Sequence, residues 1–240
     1  MRKIYELDKQ VIVPTYMEVL AWQKMPERSA SPRVKQLMDD TIGLFGELVA
    51  PRGLVDDFET GEFPRLYEGM GLNAPDGPVP LIAARANATA LMAVTMGDAL
   101  AVKSNDLFLH GKVSLGYMLN VVSSAGAERL GRRMCRLFLE RLRLESSEAP
   151  EIKNLKVQYY CPGHCGWHIS GQEKLLVALH ADEIGISLNK HYVMHPFKSA
   201  SGIMIAAHLE VHRFRQGFSF CAECREHKCV ERFKLLESEN

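Results

Sequence analysis

Five cysteines in two clusters are the residues of this chain best suited to chemistry. Cys161 and Cys165 bracket Pro162-Gly163-His164, while Cys221, Cys224 and Cys229 form C-x2-C-x4-C near the C-terminus with His227 inside it. Three thiolates so close in sequence can converge on one ion without a fold between them, and thiolates suit zinc and iron–sulfur clusters alike. A purely structural site of either kind usually takes four protein ligands. His227 would complete a zinc site locally, whereas Cys161 or Cys165 would complete it across the fold. Three ligands and one open position would leave room for chemistry at the metal, and a reduced tail without metal is a further reading. Spacing does not choose among them. The sixth cysteine, Cys135, lies alone in a helical pattern and reads as a small buried hydrophobe.

The same turn admits a second chemistry. Tyr159-Tyr160-Cys161-Pro162-Gly163-His164-Cys165-Gly166-Trp167 precedes a helix start, where backbone amides can receive a carboxylate or other anion. Cys161 or Cys165, with a pKa lowered by that helix and by His164 or His168, would make a thiol nucleophile.

Around these residues the pattern predicts the supporting elements. Ser31-Pro32 followed by Val34, Leu37, Met38, Thr41, Ile42, Phe45 and Leu48 at helical spacing reads as a capped amphipathic helix. From Pro51 to Pro80 five glycines and further prolines predict sparse regular structure, a functional loop or connector. Leu91 to Met96 reads as a buried strand ending at Gly97-Asp98, and Leu115 to Leu144 as a long helix. On that helix Leu130, Met134, Leu137 and Phe138 form an apolar stripe. Arg129, Arg132, Arg133 and Arg136 form a basic one, either a solvated face or a seat for an acidic partner. Ser170-Gly171-Gln172-Glu173 reads as a capping box before Leu175, Leu176 and Leu179. Alternation from Ser201 to Phe214 predicts a strand, with His208, Glu210 and His212 on its polar face.

Composition narrows the function classes. With 29 basic and 29 acidic residues in 240, 47% hydrophobic and 24% charged, the chain is neither disordered nor a generic nucleic-acid binder. Its most apolar stretch, Ala88 to Val102, is broken by Gly97 and Asp98, so no membrane span is expected. The start, MRKIYELD, lacks the apolar region of a signal peptide, which points to the cytoplasm and reduced thiols. Neither G-x-G-x-x-G after a strand nor G-x4-G-K-[ST] is present, against dinucleotide and P-loop nucleotide binding. The fold expected is α+β, a twisted, mostly antiparallel sheet packed with long helices. Residues 1–214 would form one domain, 1–111 its helical and loop-rich layer, and 215–240 a cysteine-rich tail.

The glycine turn, the helix after it, Ala181-Asp182-Glu183-Ile184-Gly185-Ile186-Ser187-Leu188 and Val193-Met194-His195-Pro196-Phe197-Lys198-Ser199-Ala200-Ser201-Gly202 follow one another in a recognisable order. This order, and M-x-P-x-x-S-x-S in particular, resembles the activation domain of cobalamin-dependent methionine synthase and its stand-alone relatives. The resemblance runs from about Val121 to Val211. It implies a domain that binds S-adenosylmethionine and serves the reductive methylation of an inactive corrinoid, a vitamin B12 cofactor, held by a partner protein. A low-potential electron donor is a further implied partner. The family's turn is Arg-Pro-x-Pro-Gly-Tyr. Pro162-Gly163 keep its centre, Tyr159 stands in the place of the arginine, and His164 replaces the tyrosine. Glu128 falls at the acidic position that contacts the amino group of S-adenosylmethionine. The resemblance thus implies a pocket of Glu128, Tyr159, Pro162, Gly163 and His164. No D-x-H-x-x-G cobalamin motif is present, so the corrinoid would belong to the partner. Similar cysteine-rich tails occur on stand-alone relatives, where an iron–sulfur cluster would supply electrons and zinc would be structural. The other reading is a metal-stabilised binding module of the same fold without S-adenosylmethionine chemistry.

Overall fold

Strands in this chain are short, and most become stable only because both faces of their sheet are covered. The computed structural model describes residues 1–26, 31–145, 150–213, 221 and 233–234. The strands are β1 (Arg2–Glu6), β2 (Arg52–Asp57), β3 (Ala88–Thr95), β4 (Lys156–Tyr160), β5 (Ser187–Leu188), β6 (Met194–His195) and β7 (Ser199–Ala207). Five of them form one antiparallel sheet in the order β1-β2-β3-β7-β4, and β5 and β6 pair as a small ribbon. In β3 every residue after Ala88 is buried, as expected of a strand packed on both sides.

The helices are α1 (Tyr16–Trp22), α2 (Pro32–Leu48), α3 (Phe63–Tyr67), α4 (Val79–Ala83), α5 (Ala99–Leu109), α6 (Val113–Glu145), α7 (Gly171–Leu179) and α8 (Leu209–His212). Helices α1, α2, α5 and α6 cover one face of the sheet, where Met92, Val94, Tyr159 and Met204 meet Phe45, Leu119 and Met134. Helices α3, α4 and α7 cover the other, where Leu91, Tyr160, Ile203 and Ile205 meet Phe63, Ile82 and Leu175. Burying each such large apolar side chain contributes about 1.5–3 kcal/mol. The α+β architecture predicted from the sequence is the one observed. No helix among the described residues is long and apolar enough to cross a membrane.

Helix α2 begins at the expected cap, with the Ser31 hydroxyl accepting from the Val34 amide at 3.3 Å. The long helix extends to 33 residues. Three expectations are corrected. Residues 51–80 are not a bare connector: they hold β2, inside the sheet, and α3 and the start of α4 of the second layer. The predicted strand to Phe214 stops at Ala207, because β3 and β4 offer pairing partners no further than Ala206 and Ala207. His208 then caps α8, so His208, Glu210 and His212 do not share a strand face. The capping box at Ser170 does not form, because Ser170 is already helical (φ −61°, ψ −19°) and its hydroxyl lies 2.8 Å from His168 Nδ1. A capping box does exist at Thr15 and Glu18, before α1.

Helix α6 also answers the question of the basic stripe. Glu18 receives Arg129 at 2.6 Å through one carboxylate oxygen and Arg132 at 3.0 Å through the other. Burial raises the Glu18 pKa, yet the Thr15 amide and Arg129 outweigh it and hold the carboxyl below the usual glutamate range. Arg133 pairs with Glu140 at 3.1 Å and Arg136 is exposed. Three of the four arginines therefore receive an acidic partner from within the chain.

Candidate ligand-binding site

Two glycines shape the ground on which the site is built. A Cβ at Gly202, on β7, would lie 2.3 Å from the Tyr160 carbonyl oxygen, so the chain leaving β4 can fold over β7 only where no side chain stands. A Cβ at Gly131, on α6, would lie 2.7 Å from the Tyr159 ring, so the helix has a notch into which that ring fits. Tyr159 is accordingly 3% exposed, and its hydroxyl donates to Glu128 Oε2 at 3.0 Å.

The turn after β4 is closed on itself. Gly163 N donates to Trp167 O at 2.7 Å, His164 N to Cys161 O at 3.1 Å and Trp167 N to His164 O at 2.9 Å. These amides are thus used inside the turn, and the first-turn amides of α7 likewise bond back to residues 168–170. In place of the anion-receiving helix start expected from the sequence, these amides are taken up by the chain's own carbonyls. Residues 67–77 brace the turn from outside. The Asn73 carboxamide accepts from His168 N at 2.8 Å and donates to Tyr67 O at 2.6 Å, and Ala74 N donates to Gly166 O at 2.8 Å. Beneath lie Phe63, Tyr67 and Trp167 with ring centroids 5.4–5.6 Å apart. Burial, and then the nearby Cys165, push the Tyr67 hydroxyl up to about 12, so it stays protonated.

A cavity of about 360 Å³ opens between this turn and α6. Helix α6 supplies Ser124, Ala127 and Glu128, β4 and the turn supply Tyr159 and Cys161–His164, and α7 with the loop before it supplies Gln172 and Ile169. Met194, Phe197–Ser201 and, from α1, Trp22 complete the lining. The structure therefore brings Glu128, Tyr159, Pro162, Gly163 and His164 to one place. Polar groups there fall into two kinds. Glu128 and Tyr159 bond each other, and Lys198 Nζ donates to Ser124 Oγ at 2.9 Å and to the Asn120 carbonyl at 3.3 Å. Gln172 Oε1 and Ser201 Oγ have no hydrogen-bond partner, although their residues are only 6% and 1% exposed. Burying such a group unsatisfied costs about 1–3 kcal/mol, so each is a polar atom that the cavity wall leaves without a protein partner.

The cysteines do not gather in the same way. Cys161 belongs to the core on the cavity side of the sheet, whereas Cys165 and Cys221 belong to the core on the other. Among the described residues no group of three or more His, Cys, Asp or Glu is placed to hold a metal ion. Cys224, Cys229 and His227 lie outside the described residues. His212, expected on a polar face, is buried instead: its Nε2–H donates to Lys156 O at 3.3 Å, so its Nδ1 accepts from Tyr160 OH at 2.8 Å. Sequence reasoning missed Trp22, Gln172 and Lys198 as cavity residues. Lys198 and Ser201 lie within the M-x-P-x-x-S-x-S segment, the one signal that pointed their way.

No family model matches the chain. No curated protein matches it significantly. Among solved structures it is similar to the MetH reactivation domain bound to AdoHcy, with a TM-score of 0.56, 14% identity, and 98% of this chain and 90% of that chain covered. At that identity the likeness establishes the fold.

Proposed function

We propose that this protein binds S-adenosylmethionine (AdoMet), and its product S-adenosylhomocysteine (AdoHcy), in the cavity between α6 and the 161–167 turn, and serves the reductive methylation of a corrinoid carried by a partner protein. One observation carries the reading. In a fold shared with a domain whose structure holds AdoHcy, one cavity is lined by the Glu128–Tyr159 pair and by Gln172 and Ser201, whose Oε1 and Oγ have no partner. The donor set fits the ligand: a carboxylate suits an α-ammonium, and a glutamine amide can pair with the donor and acceptor edge of adenine. AdoMet would supply a sulfonium methyl group. Reduction of the corrinoid cobalt by an external low-potential donor would precede methyl transfer, which leaves AdoHcy. This chain's own part is to hold the nucleoside, with Tyr159 fixing the Glu128 carboxylate and the braced turn forming a wall that does not rearrange.

The test is an anaerobic calorimetric titration with AdoMet and AdoHcy, on the wild type and on Glu128→Ala. Saturable binding, weakened at least tenfold by the substitution, is expected, as is an altered reduction spectrum of an added corrinoid protein in the presence of AdoMet. Lack of binding by the wild type would sink the reading. Binding without any effect on the corrinoid would instead favour a binding module that has kept the ligand and lost the chemistry. Metal content of the anaerobic protein decides among iron–sulfur, zinc and neither at Cys221, Cys224 and Cys229.

A further inference from the structure

The five-stranded sheet ends at β1, which has β2 on one side only. Leu7 N donates to Pro51 O at 3.2 Å and Asp57 N to Met1 O at 3.4 Å, so the odd-numbered residues turn their backbone groups toward β2. Arg2, Ile4 and Glu6 therefore turn theirs outward, where no backbone group among the described residues bonds them. All three are exposed, Ile4 by 37%.

An open edge of this kind pairs with another chain unless its charges forbid it. Here the charges fit a second copy. Laid antiparallel about a two-fold axis at Ile4, β1 meets its own copy with Arg2 opposite Glu6, Ile4 opposite Ile4 and Glu6 opposite Arg2. Each pair sets outward N–H and C=O groups face to face, the arrangement that exchanges both hydrogen bonds. Opposite charges across a ladder stabilise it, whereas a parallel pairing in register would oppose Arg2 to Arg2 and Glu6 to Glu6. Arg2 already bonds the Leu179 carbonyl at 3.1 Å and Glu183 at 2.9 Å, both through Nη2, and a guanidinium has further donors on Nε and Nη1. On the other face Lys3, whose ammonium lies 4.8 Å from the centre of its own Tyr5 ring, comes opposite the second Tyr5. We propose that β1 is a homodimer interface, through which two copies join their sheets edge to edge. The contact is isologous, so assembly closes at two copies. The cavity is lined from β4 and β7, beyond β3, so the dimer leaves both cavities clear.

Sedimentation velocity of the full chain tests it. So short a strand buries less than a standard interface, and the wild type should pass from monomer to dimer between about 10 and 500 μM. Ile4→Pro removes the central outward N–H and leaves the bonds to β2, so it should fold and stay monomeric. Glu6→Arg and Arg2→Glu each set like charges opposite one another and should each weaken the dimer by about tenfold. An equal mixture of the two should dimerise again, because every charge then faces its opposite. That recovery decides the matter even where Ile4→Pro fails to fold. A wild type that stays monomeric at the highest concentration overturns the inference. So does a dimer that folded Ile4→Pro or both charge variants leave unchanged, a mixture that does not recover, or association that runs past two copies.

Discussion

Buried polar groups in this protein have two fates, and helix α6 shows both side by side. On one side Arg129 and Arg132 close on Glu18, whose carboxylate also receives the Thr15 amide, so a charged cluster is spent on fixing α1 against α6. Across the sheet Tyr160, His212 and the Lys156 carbonyl form a second closed set. On the cavity side, one residue along from Arg129, Glu128 stands over a space where Gln172 Oε1 and Ser201 Oγ are buried and unpaired. Charge pairs of the first kind hold elements together, whereas polar atoms without a partner in a cavity wall are where another molecule can supply bonds.

The largest effect should come from opening a closed network. Glu18→Ala leaves two half-buried guanidinium groups without their carboxylate and should cost about 2–3 kcal/mol in urea unfolding, somewhat below the penalty at fully buried pairs. Affinity for AdoHcy should hardly move. A variant as stable as the wild type would show that the cluster is no more structural than the cavity. A smaller effect is expected at His212. Burial pushes it down to about 4, against the opposing pull of the Lys156 carbonyl, so the folded protein holds it neutral while the unfolded chain protonates near 6.5. Stability is full above that ordinary value and falls as pH drops toward the folded one. At about 1.4 kcal/mol per pH unit, the loss between pH 7.5 and 5 should be about 2 kcal/mol and should vanish in His212→Gln. An unchanged slope in that variant would remove His212 from the account.

The smallest and most telling effect has the opposite sign. Gln172→Leu removes an unsatisfied buried oxygen and should stabilise the unliganded protein by about 1 kcal/mol while weakening AdoHcy binding. Destabilisation, with binding unchanged, would mean that Gln172 belongs with the closed networks after all.

What the sequence made legible follows the same division. Helix α2, the long α6 and the core strand β3 announce themselves, because period and cap residues are local. Strand β2 does not: it is six residues among glycines and prolines, and it is a strand because β1 and β3 flank it. The cap residues at Ser170 misled because the loop before α7 is already helical there, while the Thr15-x-x-Glu18 pattern lay in plain view. At the site, Glu128 and the turn entered through a family resemblance, which their spacing alone could not have supplied. Gln172 reads from sequence only as part of a cap, and Lys198 only as part of the M-x-P-x-x-S-x-S segment. Only the tertiary fold, in which the chain leaving β4 passes close over β7 at Gly202, brings them to one cavity.

The central claim is that this cavity is where the nucleoside binds, and amide chemical-shift perturbation tests it most directly. On titration of the isotopically labelled protein with AdoHcy, the amides of Gly163, His164, Gln172, Lys198 and Ser201 should shift saturably. Those of β1 and β2, at the far edge of the sheet, should stay in place. No shifts, or shifts confined to the surface groove lined by Val177, Leu188, Lys190 and Tyr192, would contradict the account.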